Sequence, residues 1–250
     1  MKKLTLAAIT LSMVACQHNV KPPANASSVT QVKLSAEAHK DNPQQAQPPS
    51  IPLIVTIDVQ CVDIVFDTSE TDKVTVIKKI NKNEVTYEEH TSDNEVEITS
   101  KGKTNMILDP GKIDVHVPKN CIIICKSMSG DLIVNKINCR SINADAMSGD
   151  IKIKNLAAHT AKITTMSGDL SYHGKIDSGN YELSTMSGDV NVFLDRNSSV
   201  HLKLASENTD ISVDGEAIDK NSLSRTLNGG HGHLSVHGMS GDMNYYTVGE

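Results

Sequence analysis

The sequence predicts an all-β chain whose larger part is wound as a parallel β-solenoid, and three observations carry the prediction. From residue 51 onward apolar and polar residues alternate in short runs punctuated by Gly, Pro, Asn and Asp, and no run carries a helical stripe. The tetrad Met-Ser-Gly-Asp occurs five times, beginning at Met128, Met147, Met166, Met186 and Met239, at intervals of 19, 19, 20 and 53 residues. When the copies are aligned on Met, apolar residues fall into common columns. A repeat of this length is the signature of stacked units that cannot bury their apolar faces alone.

The chain begins with an address. Lys2 and Lys3 precede an apolar run over residues 4–14, too short to span a bilayer, and Met13, Val14 and Ala15 lead to Cys16. This resembles a bacterial lipoprotein signal, which implies removal of residues 1–15 and acylation of Cys16, with the mature chain held on a membrane by its lipid. Gln17 stands where an Asp would retain the protein in the inner membrane, which favours the outer membrane. Residues 16–50 then read as the lipidated Cys and a disordered tether: Pro22, Pro23, Pro43, Pro48 and Pro49 are mixed with Gln, Asn, Ala and Ser.

Residues 51–250 form the predicted solenoid domain. Its first strands are marked by alternation at residues 74–77 and 96–98, and by Ile113, Val115 and Val117 after Pro110 and Gly111. In the repeats, Cys125, Ala144, Ile163, Leu183 and Val236 stand three residues before Met, and Ile123, Ile142, Ala161, Tyr181 and Leu234 five before it. Leu132, Ile151, Leu170, Val190 and Met243 stand four after it, and Val134, Ile153, Tyr172, Val192 and Tyr245 six after it. Intervening positions are mostly polar, so one face of each strand points inward. Each unit reads as a strand, a connection carrying Ile137, Leu156 or Ile176, a second strand and a Ser-Gly turn. The 53-residue interval holds one degenerate coil, with Val200, Leu202 and Leu204 on one strand and Ile211 and Val213 on the next; residues 214–230 read as a polar loop.

The stretch IDVHVPKN at residues 113–120, the repeated Ser-Gly-Asp units and the ending NGGHGHLSVHGMSGD at residues 228–242 resemble the putative-adhesin or Toastrack family of bacterial domains. The likeness covers residues 51–250. It implies a parallel, right-handed, single-stranded β-helix or β-solenoid with coils of about 19 residues, on envelope proteins linked to surface stress sensing. It supplies no catalytic site. Met in each tetrad departs from the family's usual small residue or Thr.

Several function classes are excluded or weakened by composition. Lys and Arg number 24 against 30 Asp and Glu, a net charge of −6, so the basic footprint of a nucleic-acid binder is missing. With 3% aromatic residues and no Trp, the chain lacks the stacking surfaces of sugar clefts. A nucleophile occurs once and needs a base beside it, whereas Ser129, Gly130 and Asp131 recur as Ser148, Gly149 and Asp150, as Ser167, Gly168 and Asp169, as Ser187, Gly188 and Asp189, and as Ser240, Gly241 and Asp242. This repetition marks a turn: the Gly supplies positive φ and the Asp accepts backbone N–H groups. Stacked one coil apart, the Asp carboxylates repel and need backbone donors or a cation to offset them.

Met128, Met147, Met166 and Met186 fall on the outer face of the strand before that turn. They read as an apolar ladder for a partner surface, with a thioether Cu(I) site as the alternative. His231 and His233 share a strand face and are weak zinc or copper candidates; Gly-His-Gly also reads as a turn. Among Cys61, Cys121, Cys125 and Cys139, the pair Cys121 and Cys139 lies 18 residues apart, nearly one coil, and is the expected disulfide. The expectation is a non-catalytic, envelope-anchored scaffold for binding, adhesion-like contact or stress sensing, with no cofactor. Its partners would be the membrane, through the anchor, and an envelope protein or a second copy of the chain. A periplasmic metal binder and a polysaccharide-active β-helix enzyme are the rival readings.

Overall fold

A computed structural model describes residues 51–104, 107–208, 210–218 and 220–249. Among them are twenty strands and no helix, arranged in two ten-stranded sheets that face each other across the core. Five successive pairs of strands carry the tetrads. They are β7 (Ile122–Ser129) and β8 (Leu132–Asn135), β9 (Asn138–Ser148) and β10 (Ile151–Lys154), β11 (Ala157–Ser167) and β12 (Leu170–Gly174), β13 (Asn180–Ser187) and β14 (Val190–Asp195), and β19 (Gly232–Ser240) and β20 (Met243–Val248). In each pair the first strand joins one sheet and the second joins the other, so each pair is one coil of a stack held by parallel ladders. Ile151 pairs with Leu132 on one side and Leu170 on the other. The inward columns of the repeat are all buried. Each buried Ile, Leu or Val contributes about 1.5–3 kcal/mol.

The order of coils in space departs from their order in the chain. At the N-terminal end, β1 (Ile54–Val59) and β2 (Asp63–Thr68) do not cap the stack; they lie between the β7/β8 coil and the coil formed by β5 (Glu95–Gly102) and β6 (Gly111–Val117). At the other end, β19 and β20 lie between the β13/β14 coil and the degenerate coil of β15 (Val200–Ser206) and β16 (Ile211–Val213). The 53-residue interval therefore vanishes in space, and the five tetrad coils are contiguous.

Glycine at the corner lets the tetrad coils stack directly on one another. Gly168 has φ 139°, and a Cβ built there would stand 2.7 Å from the Gly149 carbonyl carbon and nearer still to its oxygen. Gly241 meets Gly188 in the same way. A coil whose corner is Ser-Gly can therefore settle on the corner below it: Gly130 packs in this way on Val62 of the β1/β2 coil, and the β15/β16 coil, whose corner has no Gly, lies beyond the last of the tetrad coils.

Residues 214–230 are a capping device, which corrects the loop expectation. They contain β17 (Glu216–Ile218) and β18 (Ser222–Leu227), which run antiparallel to β16 and β15. At the opposite end β3 (Thr75–Ile80) and β4 (Val85–Thr91) run antiparallel to β6 and β5. These reversed strands are the ends of the two sheets, and their exposed charged side chains, among them Lys78, Lys79, Glu88 and Arg225, are of the kind that blunts an edge against pairing with another chain.

Packing inside the stack balances large residues against small ones. Tyr181 pairs across the ladder with Ala161, and its ring meets Tyr172 edge-on at 6.2 Å. The Tyr181 hydroxyl accepts the Ala158 N–H at 2.9 Å and donates to Leu156 O at 3.2 Å, so the buried phenol is satisfied. Burial raises both phenol pKa values above the usual range.

Candidate functional site

The corner that holds the coils together also positions the candidate site. Four of the five tetrad carboxylates reach one coil along the stack: the Asp150 N–H donates to Asp131 Oδ1 at 3.0 Å, Asp169 N–H to Asp150 Oδ1 at 3.1 Å, Asp189 N–H to Asp169 Oδ1 at 2.8 Å and Asp242 N–H to Asp189 Oδ1 at 2.8 Å. Asp63, outside any tetrad, starts the ladder by accepting the Asp131 N–H at 2.9 Å. Backbone donors thus supply part of the compensation that stacked carboxylates require. Lys152 adds to it, with Nζ 3.4 Å from Asp150 Oδ2 and 3.7 Å from Asp131 Oδ2.

With the residue before Met facing inward, each Met faces out. Met128, Met147, Met166 and Met186 are 49%, 50%, 46% and 46% exposed. Their neighbours pair in register, Ser127 with Ala146 and Thr165 with Thr185, so the four thioethers line up across adjacent strands at about 4.8 Å per coil. Met239, half-buried, continues the line beside Met186. The other exposed large apolar residues among those described, Ile51, Ile77 and Leu108, lie outside this stripe. Along one side of the stripe runs a groove of about 380 Å³, floored by Ser127 and Ala146 and walled by Asp58, Lys126, Asp145 and Thr164 opposite Met128, Met147 and Met166. This surface offers apolar contact and soft sulfur donors. It has no nucleophile paired with a base.

The other predicted positions fall elsewhere. Cys61, Cys121, Cys125 and Cys139 are free thiols, which corrects the expected Cys121–Cys139 disulfide. Cys121 and Cys139 are 1% and 3% exposed, sunk in the apolar core away from any exchange partner in solvent. Burial also pushes the Cys121 thiol up to about 11 and those of Cys125 and Cys139 up to about 12, so the thiolate needed for exchange is scarce at neutral pH. His231 and His233 do not converge. His231 Nδ1 lies 2.9 Å from Ser199 Oγ, while the His233 ring stacks on His201 at 5.2 Å. Among the described residues no three His, Cys, Asp or Glu side chains gather at metal-binding range. A larger, mainly polar pocket, about 530 Å³, opens near Glu207, Asp210 and Asp242. Cys16 and the tether lie outside the described residues.

One surface feature was missed. His173, Phe193 and Tyr246 form an outward ladder on the second sheet, with Phe193 and Tyr246 stacked at 5.0 Å and 9° and His173 tilted against Phe193 at 5.9 Å. Each stands seven residues after a tetrad Met, an outward position between two inward ones. The rings cover one another's faces, so the ladder holds adjacent coils together and leaves little face for a ligand.

The sequence pattern of the Toastrack DUF4097 family matches residues 54–176 and, a second time, residues 126–245, the overlap following from the internal repeat. This is a family of unknown function. No curated protein matches the chain. Among solved structures, a "putative cell adhesion protein" from Clostridium sporogenes is 12% identical over 79% of this chain and 93% of its own, with a TM-score of 0.49. A "putative adhesin" from Bacteroides fragilis is 12% identical over 78% of this chain and 93% of its own, with a TM-score of 0.29.

Proposed function

This chain belongs to the Toastrack DUF4097 family, and from that premise we propose that it is a non-catalytic binding scaffold of the bacterial cell envelope, serving adhesion-like contact or stress sensing through its methionine stripe. The stripe is the observation that carries the reading: a row of half-exposed apolar side chains on a rigid sheet face is a surface that another molecule covers. The partner is an envelope protein or a second copy of the chain. The absence of chemistry in this reading rests on repetition, since the Ser and Asp of the tetrad recur at every corner and the carboxylates hold the stack together.

In the same reading the coils wind right-handed with about 19 residues each, residues 1–15 are a signal peptide, and acylated Cys16 anchors residues 16–50 as a tether to the outer membrane. The tether raises the local concentration of any partner on that membrane. The test replaces Met147, Met166 and Met186 together by Lys in the full chain and reads cross-links in intact cells. Cross-links should disappear while the melting temperature stays within a few degrees of wild type. Persistent cross-links, or unfolding of the variant, would overturn the assignment of the stripe. Fatty-acid labelling of wild type and of Cys16→Ser tests the anchor, and label absent from wild type refutes it.

A further inference from the structure

The stripe carries more than apolarity. Deepening the reading above by naming a ligand for the same surface, we propose that Met128, Met147, Met166 and Met186 form a linear binding site for a soft monovalent cation, Cu(I), held between thioether sulfurs of adjacent coils.

The first ground is the contrast between columns. Inward positions of the repeat exchange Ile, Leu, Val, Ala, Cys and Tyr freely, because burial requires only apolar volume. The outward column is Met in every tetrad. Apolar docking would accept Leu or Ile equally well, so the repetition selects the sulfur. Thioethers are neutral, soft donors that select Cu(I) over Zn(II), Ca(II) or Mg(II).

Spacing is the second ground. A metal–sulfur bond is about 2.3 Å, so two sulfurs facing each other across one ion stand roughly 4.6 Å apart. Parallel strands repeat at about 4.8 Å. The pairs that flank the methionines, Thr165 with Thr185 and Ser167 with Ser187 on one side and Thr165 with Ala146 and Ser167 with Ser148 on the other, set Met166 between Met186 and Met147 at that pitch, so adjacent thioethers can reach one ion without moving a strand. The three side-chain torsions of Met allow a third sulfur to close in.

Charge is the third ground. In the groove beside the sulfurs, Asp58 and Asp145 outweigh Lys126 by one unit, which balances a single positive charge.

The experiment uses the purified full chain with methionine methyl groups carbon-13 labelled and Ag(I) as a redox-inert probe of the same softness. Ag(I) should shift the methyl resonances of Met128, Met147, Met166 and Met186 and leave buried Met243 in place. Met147→Leu, Met166→Leu and Met186→Leu combined keeps the stripe apolar and the fold intact. This variant should lose the shift at Met128, lose retention of Cu(I) against a competing chelator under reducing conditions, and keep its partner cross-links. Unmoved stripe methyls in wild type overturn the site. So does a Leu variant that retains Cu(I) undiminished, which would assign the ion to the cysteine thiols. Either failure leaves the docking reading standing, because that reading falls if the Lys variant keeps its cross-links or unfolds.

Discussion

Replacing Gly168 by Ala isolates the contribution of the glycine column. Two costs arise there. An Ala at φ 139° occupies a region that L side chains rarely adopt, at about 1–3 kcal/mol. Its Cβ also has to displace the Gly149 carbonyl, from which it would be closer than 3.0 Å, and overpacking of this kind costs about 1–3 kcal/mol. Gly215 separates the two terms. Its φ is 87°, yet nothing lies within 4 Å of a Cβ built there, so Gly215→Ala incurs only the conformational cost. The two variants should differ by about 2 kcal/mol. For a domain of this size each kcal/mol moves the melting temperature by about 2–4 °C, so Gly168→Ala should unfold roughly 6 °C below Gly215→Ala in a circular dichroism melt. Equal melting temperatures would show that the stacked corners contribute nothing and would remove the physical account of how the tetrad coils pack.

Ile163→Asp buries an unpaired carboxylate at a fully enclosed site in β11 and should cost more than about 4 kcal/mol, while Lys162→Asp, on the outer face beside exposed Glu182, should change stability by less than about 1 kcal/mol; equal shifts in thermal unfolding would refute the register. Cys121, Cys125 and Cys139 should resist alkylation in the folded protein and react after unfolding, with half-exposed Cys61 reacting first. Their folded pKa values, about 11 to about 12, lie above the usual thiol value of 9.0, so the stability they confer is full below pH 9 and falls as pH rises towards the folded values. The slope is up to about 1.4 kcal/mol per pH unit for each thiol. Urea midpoints measured at about pH 8 and about pH 10.5 should show the fall, and a flat profile would refute the burial of the thiols.

Periodicity made the faces of the strands legible. Columns such as Cys125, Ala144, Ile163 and Leu183 mark the interior because each residue type is there for burial. What the pattern left hidden was which coil sits beside which. That depends on whether a corner can accept the coil above it, a contact between Gly241 and Gly188 that residues 53 positions apart reveal only in space. The caps were hidden for a related reason. Leu223 and Leu227 bury one side of β18 only partly, so their alternation among Ser, Arg and Thr is faint. In the candidate site, the outward Met column is readable from the alternation, whereas Asp58 joins the groove only because β1 lies beside β7, away from its place at the head of the domain.

The reversed strands and interleaved coils at the two ends also bear on how such a molecule changes length. Both ends are closed by pieces that fit only there, while the tetrad coils between them meet through one repeated contact. Duplicating a 19-residue unit between Ser148 and Met166 would leave both closures untouched, lengthen the stack by about 4.8 Å and add one thioether to the row. The protein is in this sense a ruler with fixed ends and a countable scale, on which the reach of the surface and the number of its contacts rise together, one coil at a time.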